Sequence, residues 1–124
     1  MMGYQVYYDQ EKGIVRADIE GDLVASITGA AALQGRELAL THGCQRYIVD
    51  MRQTIVRDST TTTYMFMEGL EALGFDRTDR IAILYKNDEE KHRFAEMVAH
   101  NRGWRNIRYF PGLEEAEEWI LKKE

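Results

Sequence analysis

Cysteine is nearly absent from this chain: Cys44 is the single one in 124 residues. One thiol makes neither an intrachain disulfide nor a cysteine-built metal cluster, and its usual place is the edge of an apolar core. Long apolar runs are also missing. None approaches the ~20 residues that span a bilayer as a helix, so no membrane span is expected. The first residues, Met1 to Gln10, are polar and aromatic and carry no apolar signal segment, which makes the cytoplasm the expected location. Positive charge is in deficit, with 16 Lys and Arg against 21 Asp and Glu and a formal net charge of −5. Nucleic-acid binders present clustered cations to phosphate. Here the cations are scattered among more numerous acids, so no nucleic-acid partner is expected. Internal repeats, low-complexity tracts and linkers are absent, as are a phosphate-binding glycine loop and a dinucleotide fingerprint after the first strand.

What remains is an ordinary globular composition, 44% hydrophobic and 30% charged, with length for one domain over residues 1–124. Tyr4, Val6 and Tyr8 alternate with Gln5 and Tyr7, and Val15, Ala17 and Ile19 alternate with Arg16, Asp18 and Glu20. A short polar link joins these two strands as an antiparallel hairpin. An alanine-rich helix follows over about 26–42, with Gly43 as its left-handed cap. Tyr47-Ile48-Val49 and Ile81-Ala82-Ile83-Leu84-Tyr85 are continuous apolar runs, the pattern of central strands covered on both faces. Between them, residues 59–73 read as a helix with Phe66, Leu70 and Leu73 on one stripe. Asn87 and Glu90 have the spacing of a capping box for a helix that buries Phe94, Met97 and Val98 and stops near Gly103. A last strand, Ile107 to Phe110, is broken by Pro111-Gly112. The closing helix carries Glu114, Glu115, Glu117 and Glu118 early and Lys122 and Lys123 late, the order the helix dipole favours. The predicted order β-β-α-β-α-β-α-β-α defines an α/β fold: a mostly parallel sheet with right-handed crossovers and an N-terminal antiparallel hairpin.

Ligands and partners of open α/β sheets meet the carboxyl ends of the parallel strands. That rule selects Asp50, Arg52, Arg57, Asp58, Ser59 and Thr60 after the third strand, and Lys86, Asn87 and Asp88 after the fourth. It expects them along a single rim. The run Asp58-Ser59-Thr60-Thr61-Thr62-Thr63 opens the second helix. One such residue suffices as an N-cap, and a phosphorylated hydroxyl there would meet free N–H donors, a favourable dipole and arginines. Tyr64-Met65-Phe66-Met67 is apolar almost all round its turn. Two or three of these side chains belong to the core. The others, with Tyr85, are candidates to face a protein partner, a second subunit in a homodimer, or an apolar ligand.

Catalytic readings find less. Ser59 lacks a Gly-x-Ser-x-Gly elbow, and nothing places a substrate between Asp50 and Asp58. His92, Glu96 and His100 share a helix face, but ~12 Å between the histidines is too long for one ion. That row is therefore expected to be solvated. No enzymatic activity, cofactor or metal is expected.

The stretch Tyr47-Ile48-Val49-Asp50, then Ile55-Val56 and Asp58-Ser59-Thr60, resembles the STAS family of anti-sigma-factor antagonists. In that family an apolar strand ending in Asp precedes an apolar pair and a helix opened by Asp-Ser-Ser-Gly-Leu. The step from Asp50 to Asp58 agrees with the pattern. The resemblance implies a phosphorylation site at Thr60, with Ser59 beside it, although Thr61 and Thr62 replace the Gly-Leu of the motif. In element order, including the closing Leu113-Glu114-Glu115-Ala116-Glu117-Glu118-Trp119 helix, the chain is more similar to the stand-alone bacterial SpoIIAA-like group, also described as STAS/SEC14-like. There the motif is degenerate and binding of a small lipophilic molecule has been suggested.

The resemblance therefore implies a SpoIIAA-like fold and a non-enzymatic interaction or signalling module. Its contact edge would be Asp50, Arg52, Arg57, Asp58, Ser59, Thr60 and Lys86. The alternative it implies is a carrier or sensor of a lipophilic ligand, walled by Met65, Phe66, Met67 and Tyr85. A carrier requires an enclosed apolar pocket of roughly 300 Å³ or more; the module requires a closed core and an exposed apolar patch.

Overall fold

Alternation of apolar and polar residues at the start of the chain produces the antiparallel hairpin β1 (Gly3–Asp9) and β2 (Ile14–Leu23), in unbroken register from Gly3↔Glu20 to Asp9↔Ile14. The computed structural model describes residues 3–122, so Met1, Met2 and the Lys123 of the expected basic helix end lie outside the described residues. The remaining elements are α1 (Ala25–His42), β3 (Arg46–Val56), α2 (Thr60–Glu68), β4 (Arg80–Leu84), α3 (Glu89–Asn101), β5 (Ile107–Phe110) and α4 (Leu113–Ile120). The strands form one sheet in the order β1-β2-β3-β4-β5, parallel from β2 to β5. The predicted element order and mixed sheet are those observed.

Helices α1, α2 and α3 pack on one face of the sheet and α4 on the other. The first face carries the larger core, including Val15, Ile19, Tyr47, Met51, Ile83 and Tyr109; the second carries Ile14, Ile48, Ala82 and Leu84 against Ala116 and Ile120. Small residues let α1 sit close on the hairpin. Ala31, Gly35 and Ala39 face inward, and a Cβ on Gly35 would lie 3.6 Å from Val15 and 3.8 Å from Val6. Gly43 closes α1 in the left-handed conformation, φ 61°. On the α4 face, Glu117 receives Lys12 at 2.9 Å and Arg16 at 2.6 Å, tying α4 to the hairpin.

Strand β3 runs further than the apolar triplet predicts. Its last pairing with β4 is Asp50↔Leu84, and residues 51–56 continue beside β2 alone. Between Asp18↔Asp50 and Glu20↔Gln53, β3 takes one more step than β2, which is a β-bulge. The overhang leaves backbone groups without a strand neighbour, and side chains replace it. Asn87 Nδ2 donates to the Thr54 carbonyl at 3.2 Å, and Asp88 Oδ2 accepts the Val56 N–H at 2.9 Å.

This corrects the expected capping box. Asp88, not Asn87, occupies the N-cap position of α3, in the left-handed region at φ 59°, and its side chain makes no cap bond because Val56 engages it.

The row His92, Glu96 and His100 is also corrected: it is packed, not solvated. Glu96 Oε2 accepts the Tyr109 N–H at 2.9 Å, and His100 Nε2 lies 2.8 Å from the Ile107 carbonyl. Both backbone groups point away from β4, so α3 covers the outer edge of β5, the usual remedy for an exposed strand edge. His92, one turn earlier, is buried. Two smaller expectations also change. Helix α2 ends at Glu68, with Leu73 in the turns beyond, and Met97 is exposed rather than buried.

Candidate functional site

Helix α2 begins just beyond the β3 overhang, and Ser59 starts it: its hydroxyl accepts the Thr62 N–H at 3.2 Å. With Ser59 as cap, Thr60 is the first helical residue and is exposed. Along α2 the exposed positions are Thr60, Thr61, Tyr64, Met65 and Glu68, one helical stripe; Phe66 is half-buried and Met67 belongs to the core. Met65 is 64% exposed and Tyr64 38%. Tyr64 is steadied by the Arg102 guanidinium, 4.3 Å from its ring centre, and Arg102 also pairs with Glu68 at 3.3 Å. The stripe is thereby fixed against the end of α3.

The expected single rim is in fact two surfaces. Strand alternation sends Met51 toward α2, so Asp50 and Arg52 point to the opposite face of the sheet. There Asp50 accepts the Arg52 backbone N–H and Nε at 3.0 Å each and its terminal nitrogen at 2.8 Å, which secures the bulge. Burial works against the Asp50 charge, but these bonds outweigh it and hold its pKa below the ordinary value. Asp18, directly opposite Asp50, is shifted the other way by desolvation and by that neighbouring carboxylate. With Gln5 and Gln53 they line a shallow groove of about 330 Å³.

On the α2 side, Arg57 pairs with Asp22 at 3.0 Å, both exposed, and Lys86 is exposed beyond β4. Asp58 is half-buried, and burial raises its pKa against the opposing influence of the Ala25 N–H. Tyr85, expected on an apolar surface, is buried, its hydroxyl accepting from Arg93 at 2.7 Å. Among the described residues, no group of three or more His, Cys, Asp or Glu could hold a metal ion, and no helix is long and apolar enough to cross a membrane.

Two cavities of about 80 Å³ each lie beneath α2. The first is bounded by α1, α2 and the sheet and is almost wholly apolar. The second shares Thr28, Met51, Phe66, Met67 and Ile83 with it and adds Asp58, Thr63, Lys91, His92 and Tyr109. Phe66 and Met67 line both cavities, whereas Met65 and Tyr85 line neither. The part played by His92 and Tyr109 went unread in the sequence. A signal was present: His92, Ala95 and Ala99 are spaced i, i+3, i+7, which puts the imidazole on the buried face of α3.

No family model and no curated protein matches the chain. Solved structures do, among them the following two. One is an uncharacterized protein of the DUF3478 family with a SpoIIAA-like fold from Shewanella loihica PV-4, 15% identical, covering 97% of this chain and 95% of its own, TM-score 0.58. The other is an anti-sigma factor antagonist from Mycobacterium paratuberculosis, 10% identical, covering 97% and 96%, TM-score 0.59. The class is therefore clear: this chain has the SpoIIAA-like fold, the architecture it shares with an anti-sigma factor antagonist. At these identities the likeness is one of fold.

Proposed function

We propose that the protein is a non-enzymatic, STAS-like regulatory module that binds another protein through the exposed stripe of α2. The observation that carries this reading is Met65, a large apolar side chain 64% exposed on a helix fixed by Ser59 at one end and Arg102 near the other. A preordered helix face with an apolar centre and polar rim is a common recognition surface. The match in fold to an anti-sigma factor antagonist supports it. Arg57, Asp58, Ser59, Thr60 and Lys86 would form the rim; Asp50 and Arg52, on the other face, would lie outside it.

Phosphorylation of Thr60 would add charge at the start of this stripe, where a helix N-terminus favours it. Incubation with candidate kinases followed by mass spectrometry tests this; modification elsewhere with Thr60 untouched removes it. For the interaction itself, a photo-crosslinking residue placed at position 65 is expected to trap a discrete protein partner in cells. The same residue at Leu40, 65% exposed on α1, is the control. Equal trapping at both positions, or none at 65, would overturn the proposal.

A second reading, binding of a small lipophilic ligand, is supported by the paired cavities beneath α2. Each is well under the size of a lipid carrier's pocket, which restricts that reading to small molecules.

A further inference from the structure

The sheet has two edges, and the fold treats them differently. Glu96 and His100 of α3 close the outer edge of β5. Strand β1, at the opposite end of the sheet, has no such cover. In an antiparallel pair, every second residue turns its N–H and C=O away from the neighbouring strand. Among the described residues, the backbone of Gly3 to Tyr8 makes no hydrogen bond outside its ladder with β2. Natural proteins guard such an edge with lysine, proline, a bulge or a very short strand. The strand Gly-Tyr-Gln-Val-Tyr-Tyr-Asp has none of these: it is seven residues long and in unbroken register with β2.

This edge is complementary to a copy of itself. Alternation puts Tyr4, Val6 and Tyr8 on the α1 face and Gln5 and Tyr7 on the other. Val6 and Tyr8 pack on the core there, and the Tyr8 ring stacks on His42 at 3.8 Å. Residues directly opposite each other in a ladder share a face. Full antiparallel overlap of two β1 strands meets that condition, with a two-fold axis at Val6. Val6 then stands opposite its copy, Tyr4 opposite Tyr8, Gln5 opposite Tyr7 and Gly3 opposite Asp9. Tyr4 and Tyr7, each 39% exposed, gain cross-strand neighbours of the kind that stabilise sheets. Charge does not oppose the meeting. The chain carries a net charge of −5, but β1 contributes Asp9 alone, and Arg16 pairs with it at 3.0 Å. In this register Asp9 faces a glycine, not a second carboxylate.

We propose that β1 is a self-association edge, through which two copies of the chain join their five-stranded sheets about a two-fold axis at Val6. Closed two-fold assembly is the commonest form of oligomer. The new ladder supplies about six to eight backbone bonds. Helix α1 lies between β1 and α2, so each copy keeps the outer stripe of α2 free for a different protein.

Sedimentation velocity on the full chain, from about 10 μM to about 1 mM, the span of weak association, should show a reversible monomer–dimer equilibrium. Mixing isotope-labelled with unlabelled chain should give NMR contacts between copies from Val6 to Val6 and from Tyr4 to Tyr8. Two double variants test the register on exposed side chains. Gln5→Lys with Tyr7→Lys puts like charges opposite each other twice and should weaken the dimer about tenfold. Gln5→Lys with Tyr7→Glu puts opposite charges there and should leave it within about twofold. A chain that stays monomeric throughout overturns the proposal. So does a dimer without contacts between copies at Val6, or one that both variants weaken equally or not at all. Should a variant fail to fold, the contacts between copies of the unmodified chain decide.

Discussion

Asp88 joins two structural demands in one residue, and replacing it separates them. Its carboxylate accepts the half-buried Val56 N–H at 2.9 Å, and its backbone is left-handed at φ 59°. A hydrogen bond to a charged group contributes about 1.5–3 kcal/mol, and a left-handed residue with a Cβ costs about 1–2 kcal/mol, less for Asp and Asn than for Ala. Asp88→Ala loses the bond and worsens the backbone, so it should cost about 2.5–4 kcal/mol. Asp88→Gly loses the bond but relieves the backbone, for about 1–2 kcal/mol. Asp88→Asn keeps an acceptor and tolerates the conformation, for about 1 kcal/mol or less. The predicted order of stability is therefore Asp, Asn, Gly, Ala. Urea denaturation at constant m-value measures it, and hydrogen exchange at the Val56 amide should speed up in the Gly and Ala variants but not in Asn. Should Gly prove as damaging as Ala, the conformational argument is wrong. Should Asn match Ala, with Val56 exchange unchanged throughout, the side-chain bond to β3 is not what holds the overhang.

Glu117 is held below the ordinary carboxylate range by its bonds to Lys12 and Arg16, so it stabilises the fold above its unfolded pKa and the effect fades as pH falls through the folded value. Glu117→Gln should cost about 1 kcal/mol at neutral pH after allowance for solvent screening, with the difference closing in acid; urea titrations across the acid range would show it. Glu96→Ala frees the Tyr109 N–H on the outer edge of β5 and should accelerate exchange at that amide, with about 1–2 kcal/mol of lost stability. Met65→Asp alters an exposed position and should change stability by less than about 0.5 kcal/mol, as thermal unfolding would report.

Element order was readable because each segment carries its own periodicity: alternation in β2, continuous apolar runs in β3 and β4, and a helix ended by Gly43. The overhang of β3 was not, because residues 51–56 are strand only by virtue of β2 beside them and Asn87 and Asp88 across from them. The spacing of Asn87 and Glu90 suggested a cap, but a tertiary bond to Val56 claimed the neighbouring carboxylate instead. At the candidate site, the role of Ser59 follows from local chemistry and was legible. The separation of Asp50 and Arg52 from α2 follows from strand alternation about Met51, and extending the strand past Val49 would have revealed it. Glu96 and His100 resemble a solvated pair until the position of β5 is known, since only the fold brings an unpaired strand edge within their reach.

The claim at the centre of this account is that the outer stripe of α2 contacts a protein. The most direct measurement is calorimetric: the purified partner trapped at position 65, titrated into the unmodified chain, Met65→Asp and Leu40→Asp. The account predicts a loss of affinity of about thirtyfold or more for Met65→Asp, the scale of an interface hot spot, and none for Leu40→Asp. Unchanged affinity in Met65→Asp, with its stability intact, would contradict it.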